Sequence, residues 1–271
     1  MKLEIVSICL DGMPFLPLHL PEFEKLTIPW CWSVVHGAAA NTGSTRWCQP
    51  QIPRLSRDGG SEYINGLLKH PNIQIFQRQW WPGGKDEMFR TAIDKITEPC
   101  ILFMPDIDEI WRADQIERIV QMFEERPDAM RALFDCRYWI GKNIITTGNN
   151  CWSHRQGEWL RAFRLIPGMV LSSHEPPILA GNKGTAITQE ETSKLGLVFD
   201  HFAYVLESQV RFKQHFYGLK NAVEQWQRLQ ANTEWPVHDL KQFLPWVGNG
   251  VTADLFSNVY PGEINPTSKL P

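Results

Sequence analysis

The sequence has no CxxC pair among its six cysteines, no apolar run near the roughly 18 residues of a membrane span, and no excess of basic charge. Each absence removes a class of protein. Cys9, Cys31, Cys48, Cys100, Cys136 and Cys151 are too scattered for a zinc knuckle or a redox dithiol. Cys9, Cys31, Cys100 and Cys136 lie in apolar runs and read as small core residues, which suits a reducing cytoplasm. The opening MKLEIVSICLDG is too short and too acidic for a secretory leader. A soluble cytoplasmic protein is therefore expected, without a transmembrane segment, with room for a peripheral seat at the inner membrane face. Twenty-seven Lys and Arg against 30 Asp and Glu give a formal charge of −3, which speaks against non-specific nucleic-acid binding. Repeats and low-complexity tracts are missing too. Tyrosine is scarce, at five, whereas tryptophan reaches 12. Tryptophan is large, rigid and amphipathic, and it grips flat ligands well.

What is present is a globular composition, 43% hydrophobic and 21% charged over 271 residues. That suffices for one large domain, or a domain with an appended subdomain. Short apolar runs alternate with helical periodicity. LEIVSIC (3–9), CWSVVH (31–36), NIQIFQ (72–77), CILFMP (100–105) and MRALFDCRYW (130–139) read as strands. Between them lie a Pro-interrupted helix around 15–26 and the helices SEYINGLLKH (61–70) and DEMFRTAIDKI (86–96). An Asp114/Glu117 capping box opens a further helix to about Glu125. This alternation predicts an α/β fold with a mostly parallel mixed sheet sandwiched by helices. Residues 209–232 read as one long helix or two, and the last 25 or so residues as a mobile or wrapping tail.

Ligands in such folds sit beyond the carboxyl ends of the strands. Three polar motifs follow strand ends here: HGAAANTGST, RQWWPGGKDE and PDIDE. In the last, Asp106, Asp108 and Glu109 follow a run that should be buried, where unpaired carboxylates are costly. Just past the strand end they could converge on Mg²⁺ or Mn²⁺, with Asp106 and Asp108 on one side of an extended chain. The other reading is a solvated loop in which Asp114 and Glu109 cap helices.

The ordered set of short motifs resembles the family 2 glycosyltransferases of the GT-A fold, from residue 3 to about residue 217. It runs from SICLDGMPFL through Gly43-Ser44-Thr45 and the basic helix Gly84-Lys85 to Arg90, then to FMPDIDE, RAFR, SSHEPP and DHFAY. Three positions depart from the family pattern: His36 stands where an acidic residue usually ends the second strand, Asp11-Gly12 where Asn-Glu is common, and Arg90-Thr91 where Arg-Asn is common. These leave the nucleobase open. The resemblance implies a GT-A catalytic domain at 1–207, with a nucleotide-sugar half at about 1–110 and an acceptor half at about 111–207. A helical extension at 208–271 would follow.

It also implies transfer of a sugar from a UDP-, GDP- or dTDP-sugar to a hydroxyl of a glycan, lipid or protein. Inversion would come from direct displacement with a carboxylate base, assisted by Mn²⁺ or Mg²⁺. Asp108 is then the first choice as direct metal ligand. Asp106 contacts the ribose or a metal-bound water, and His201 completes the metal site. Glu175 is the base candidate, held extended by the two prolines that follow it, with Glu109 as competitor and Glu158 as a weaker one. Lys85 and Arg90, about a helical turn apart, are candidates to face the diphosphate, as are Arg161 and Arg164. Asp11, His36 and His174 complete the candidate binding residues. Trp47 lies beside the Gly-Ser-Thr loop, Trp80 and Trp81 precede Gly83-Gly84-Lys85, and Trp111 follows the acidic motif. Trp80 and Trp111 are the rings expected to stack on a sugar or base, while Trp81 is expected in the core.

Two other readings stand beside this one. DIDEI fits the D-x-D-x-hydrophobic pattern of a haloacid-dehalogenase-type phosphohydrolase, but the motif comes several strands in and no Asp-Asp or Gly-Asp pair follows. A carbohydrate-binding protein without catalysis would keep the tryptophans and lose the acidic motif. Asp106, Asp108, Glu175 and His201 together argue against it.

Overall fold

The structure, a computed structural model, describes residues 1–147, 159–181 and 183–256. Cys151, Glu158 and the tail from residue 257 lie outside the described residues. The chain divides into two compact units, residues 1–136 with 155–199, and residues 137–154 with 200–271.

The first unit is built on a seven-stranded mixed sheet. Its leading strands are β1 (Leu3–Cys9), β2 (Trp30–Ala39), β3 (Ile73–Trp81) and β4 (Cys100–Phe103). Across the sheet the order is Thr185–Ile187, Ala129–Leu133, Leu160–Leu165, β4, β1, β2, β3. β1 pairs parallel with both β2 and β4, and β2 pairs parallel with β3. The strand Leu160–Leu165 runs antiparallel between β4 and Ala129–Leu133. All ten residues of β2 are buried, so WCWSVVHGAA shows no polar alternation, as expected of a central strand covered on both faces.

Helices follow the strands in turn: α1 (Leu20–Phe23), α2 (Gly60–Gly66), α3 (Gly84–Ile93) and α4 (Ala113–Glu125). Met88, Phe89, Ala92 and Ile93 of α3 share one buried cluster with Val6, Val35, Leu102 and Phe163 of the sheet. Each of these side chains except Ala92 contributes on the order of 1.5–3 kcal/mol through burial. That packing fixes the amino end of α3 beside the carboxyl ends of the strands.

Several boundaries differ from the sequence reading. β2 runs three residues beyond His36, because Gly37 takes φ +133 and bulges the strand against β3. A Cβ there would lie 1.7 Å from the Arg78 carbonyl oxygen. The predicted strand 130–139 is broken at Phe134, whose N–H donates to the Trp159 carbonyl, giving Ala129–Leu133 and Asp135–Tyr138. The Pro-rich stretch 15–26 forms only a 3₁₀ turn and the four-residue α1. At α4 the cap is Arg112, whose N–H donates to Gln115 Oε1 at 3.0 Å. Glu117, expected in the capping box, accepts from Thr27 instead.

The second unit has its own polar and aromatic core. Arg137 binds both carboxylate oxygens of Asp200 at 2.7 Å, and Trp139 Nε1 donates to the same group. Trp226 Nε1 donates to the carbonyls of Ile140 and Tyr204. Residues 209–232 form two helices, Glu207–Phe216 and Ala222–Gln230, because Gly218 and Asn221 both take positive φ between them. Among the described residues, no helix is long and apolar enough to cross a membrane.

Candidate functional site

Parallel strands leave their carboxyl ends, and the loops after them, on one edge of the sheet. At that edge the loop 54–57 ties β1 to β2. Asp11 takes φ 53 just past β1, and its carboxylate receives both Nη atoms of Arg54 and the Arg57 N–H. Burial alone would raise the Asp11 carboxyl, but the Arg54 guanidinium and the Arg57 N–H outweigh it and hold it below the usual range. Asp11 N–H donates to Ser56 Oγ at 2.8 Å, and Ser56 Oγ lies 2.8 Å from His36 Nε2. Ser56 N–H also donates to that nitrogen, so Nε2 is the acceptor and Nδ1 carries the proton toward Gln77 Oε1 at 3.2 Å. His36 is fully buried, and burial lowers its pKa. A neutral, doubly bonded imidazole of this kind braces the strand ends.

The second segment is the Gly-Ser-Thr loop against the start of α3. Asp86, 5% exposed, accepts from Ser44 Oγ at 2.6 Å, Ser44 N–H at 2.9 Å and His174 N–H at 2.9 Å. One buried carboxylate therefore joins the loop, the helix and the strand Val170–His174. Gly43 holds φ +61, and a Cβ on it would lie 2.1 Å from Asp86 Oδ2. Gly43→Ala combines a left-handed strain with that clash, so it should lower stability by about 1–3 kcal/mol. Urea titration checks this; a midpoint equal to that of the parent chain would contradict the clamp.

The acidic turn follows β4. Arg161, on the strand Leu160–Leu165, donates through Nε to Glu109 Oε2 at 2.7 Å and through Nη2 to Glu109 Oε1. The same Nη2 reaches Asp106 Oδ2 at 2.9 Å. Glu109 is fully buried, so the competing base is sealed under a guanidinium and has no route to a substrate hydroxyl. Burial pushes the Asp106 carboxyl up, while Arg161, then His174 and Lys85, pull it down and win. Asp106 and Asp108 both remain partly exposed. His19 Nε2 meets the Ile107 carbonyl at 2.9 Å and so steadies the turn from below.

Among the described residues, no three His, Cys, Asp or Glu side chains converge to cage a metal ion. Two partly exposed carboxylates within electrostatic reach of each other still suit a Mg²⁺ or Mn²⁺ ion whose remaining ligands are water and substrate phosphate. Asp106 and Asp108 are the residues that could hold it.

Facing the turn is the pair His174-Glu175. The two prolines after it do not hold an extended segment. Glu175 and Pro176 form the tight turn of a hairpin between Val170–His174 and Pro177–Ala180. Lys85 Nζ lies 3.1 Å from Glu175 Oε1, and His174 Nε2 lies 3.8 Å from the same oxygen. The His174 ring stacks on Phe89 with centroids 4.5 Å apart. Burial, then the Lys85 ammonium, lowers His174 to about 4, so it is neutral at neutral pH. Its buried Nδ1 has no partner among the described residues.

Three candidates are placed otherwise. Trp111 is 2% exposed and packs on Phe103, Phe134 and Phe199, so it belongs to the core and offers no face to a sugar. Arg164 sits three residues from Arg161 on a strand, which puts it on the opposite face; it donates to the carbonyls of Phe123, Arg126 and Ala129. Arg90 lies five residues from Lys85 on α3, a rotation of about 140°, so the two do not share a face. His201 ends the strand Val198–His201, and its ring packs edge-on to Tyr138. Trp80 is half-buried near the end of β3, and Trp81 is fully buried with Nε1 donating to the His36 carbonyl. Arg54, Ser56 and Asp86 went unnoticed in the sequence. Only Asp86 carried a signal, as an acid in the first turn of a helix.

No family model and no curated protein matches the sequence. Among solved structures, S. aureus TarS 1–349 in complex with UDP is similar at 13% identity, over 51% of this chain and 36% of that one, with a TM-score of 0.39. The chain thus spans only about a third of that protein's solved length. S. aureus TarS 1–349 alone aligns over 90% of this chain and 71% of that one, at 12% identity and a TM-score of 0.43. A mannosyltransferase from Pyrobaculum calidifontis in complex with GDP-Man and Mn²⁺ is similar at 16% identity, over 79% and 61%, with a TM-score of 0.45.

Proposed function

We propose that the first unit is a glycosyltransferase of the GT-A kind, moving a sugar from a nucleoside-diphosphate donor to an acceptor hydroxyl. The observation that carries this reading is the meeting of Asp106, Lys85, His174 and Glu175 at the carboxyl edge of the sheet. It supplies a cation for phosphate, carboxylates for a divalent metal, and a carboxylate for a proton.

In the reaction the acceptor oxygen attacks the anomeric carbon. The bond from that carbon to the phosphate oxygen breaks, its electron pair leaves with the diphosphate, and the hydroxyl proton passes to Glu175. One displacement of this type inverts the anomeric centre. Lys85 meets the charge that builds on the leaving diphosphate. A Mn²⁺ or Mg²⁺ ion held by Asp106 and Asp108 would add Lewis-acid stabilisation of that charge. Arg161 keeps Asp106 ionised and fixed in place. The Asp11–Arg54–Ser56–His36 network lies on the strand ends where a nucleoside would rest.

Thermal-shift screening tests the reading directly. At a hundredfold excess over Kd, one of UDP, GDP or dTDP with Mn²⁺ should raise Tm by roughly 5–10 °C. A shift no larger than that of Mn²⁺ alone, for all three, would remove the nucleotide-donor reading.

A further inference from the structure

The Lys85–Glu175 ion pair joins two groups that the proposed reaction needs apart. Lys85 is wanted on the diphosphate, and Glu175 on the acceptor hydroxyl. In the structure each occupies the other at 3.1 Å, with their side chains 19% and 33% exposed. We propose that this pair is an exchange latch: donor diphosphate draws Lys85 off Glu175, and only then is Glu175 open to an acceptor. The latch rests on the function proposed above.

Three features support exchange rather than a fixed bridge. The backbones beneath the pair are already fixed together, because Asp86, the residue after Lys85, accepts from the N–H of His174, the residue before Glu175. Side-chain rotation of Lys85 is then the whole movement required. The second feature is a difference in bond strength. A partly exposed ion pair is weak, whereas an ammonium on a diphosphate meets more than one negative charge. The third is a waiting partner. His174 Nε2 stands 3.8 Å from the same Glu175 oxygen that Lys85 holds, and the His174 ring is kept rigid by Phe89 and by burial. When Lys85 leaves, Glu175 has a neighbour that limits its swing and keeps it over the site. The consequence is an order of events: donor before acceptor.

A latch predicts an effect that a structural bridge does not. Removing the Glu175 charge frees Lys85, so Glu175→Gln should bind nucleoside diphosphate more tightly than the parent chain, by roughly two- to fivefold. The gain must run through Lys85, so it should vanish in the Lys85→Met background. Calorimetric titration of UDP and GDP, each with Mn²⁺, into parent, Glu175→Gln, Lys85→Met and the double variant reads both. UMP and GMP, with one phosphate fewer, should show a smaller gain. Equal or weaker diphosphate binding by folded Glu175→Gln overturns the latch while leaving the donor reading intact. A gain that persists in the double variant overturns it as well. Absence of binding by the parent chain overturns the donor reading and the latch together, and so is told apart from failure of the latch alone.

Discussion

Asp108→Ala should reduce sugar transfer by a factor of about 10² to 10³ and leave the fold intact. The reason lies in how the acidic turn distributes its work. Glu109 is buried under Arg161, and Asp86 is engaged by three donors of the backbone and Ser44. Glu175 is paired with Lys85. Asp106 and Asp108 are the carboxylates of the turn that keep partial exposure past β4. The turn itself is held by Glu109 N–H on the Asp106 carbonyl, by Arg161 on Glu109, and by His19 on the Ile107 carbonyl. Asp108 is partly exposed, so its truncation should change stability by about 1 kcal/mol at most. Nucleoside diphosphate release in the presence of Mn²⁺, measured with a melting curve on the same sample, separates the two effects. Turnover of Asp108→Ala at the parent rate would sink the metal assignment. A Tm drop that matches the loss of activity would show that the turn, and not the charge, had been lost.

How much of this arrangement could be read from the residues depends on whether each signal is local. β1, β2 and β4 are legible because LEIVSIC, CWSVVH and CILF are short apolar runs bounded by polar turns. The end of β2 was not, since the Gly37 bulge is created by a contact with Arg78 on another strand. RAFR illustrates the ambiguity of spacing. Two arginines three apart share a face on a helix and oppose each other on a strand, and only the pairing with β4 decides. Arg161 consequently reaches the acidic turn and Arg164 the carboxyl end of α4.

The site shows the same division. That Asp106, Asp108, Lys85 and Glu175 carry charge at strand and turn ends is local information, and the sequence exposes it. That Glu109 is the carboxylate of the acidic turn that becomes buried is not, because its partner lies 52 residues away. Trp111 follows the acidic motif directly and so looked like a lining ring. Its neighbours Phe103, Phe134 and Phe199 come from three separate strands or loops, and together they enclose it. Asp86 stands beside a lysine in a helix start, which disguises it as a solvated charge until Ser44 and His174 arrive from elsewhere.

Removal of Arg161 has the largest expected effect on stability. Arg161→Met leaves the fully buried Glu109 carboxylate without its cation, and breaking a buried pair in this way costs about 3–5 kcal/mol. For a chain of this length that corresponds to a fall in Tm of roughly 10 °C. Replacing both partners by apolar groups of similar volume is often close to neutral, so Arg161→Met with Glu109→Leu should recover most of the loss. Recovery of stability should not bring back activity, because Asp106 would still lack the 2.9 Å contact that fixes it. The pH dependence has a definite sign. Arg161 is foremost among the charges that hold the folded-state Asp106 carboxyl below its unfolded value. Its contribution is therefore complete above the unfolded pKa, about 3.9, and is lost as pH falls through the lower folded value. In Arg161→Met burial acts on Asp106 with its main counter-charge gone, so that share of the acid-side loss should shrink. Urea midpoints from pH 3 to 7 for parent, single and double variants measure all three effects. A single variant as stable as the parent at neutral pH, or a double variant no more stable than the single, would mean that the pair does not bear on the fold as its burial requires.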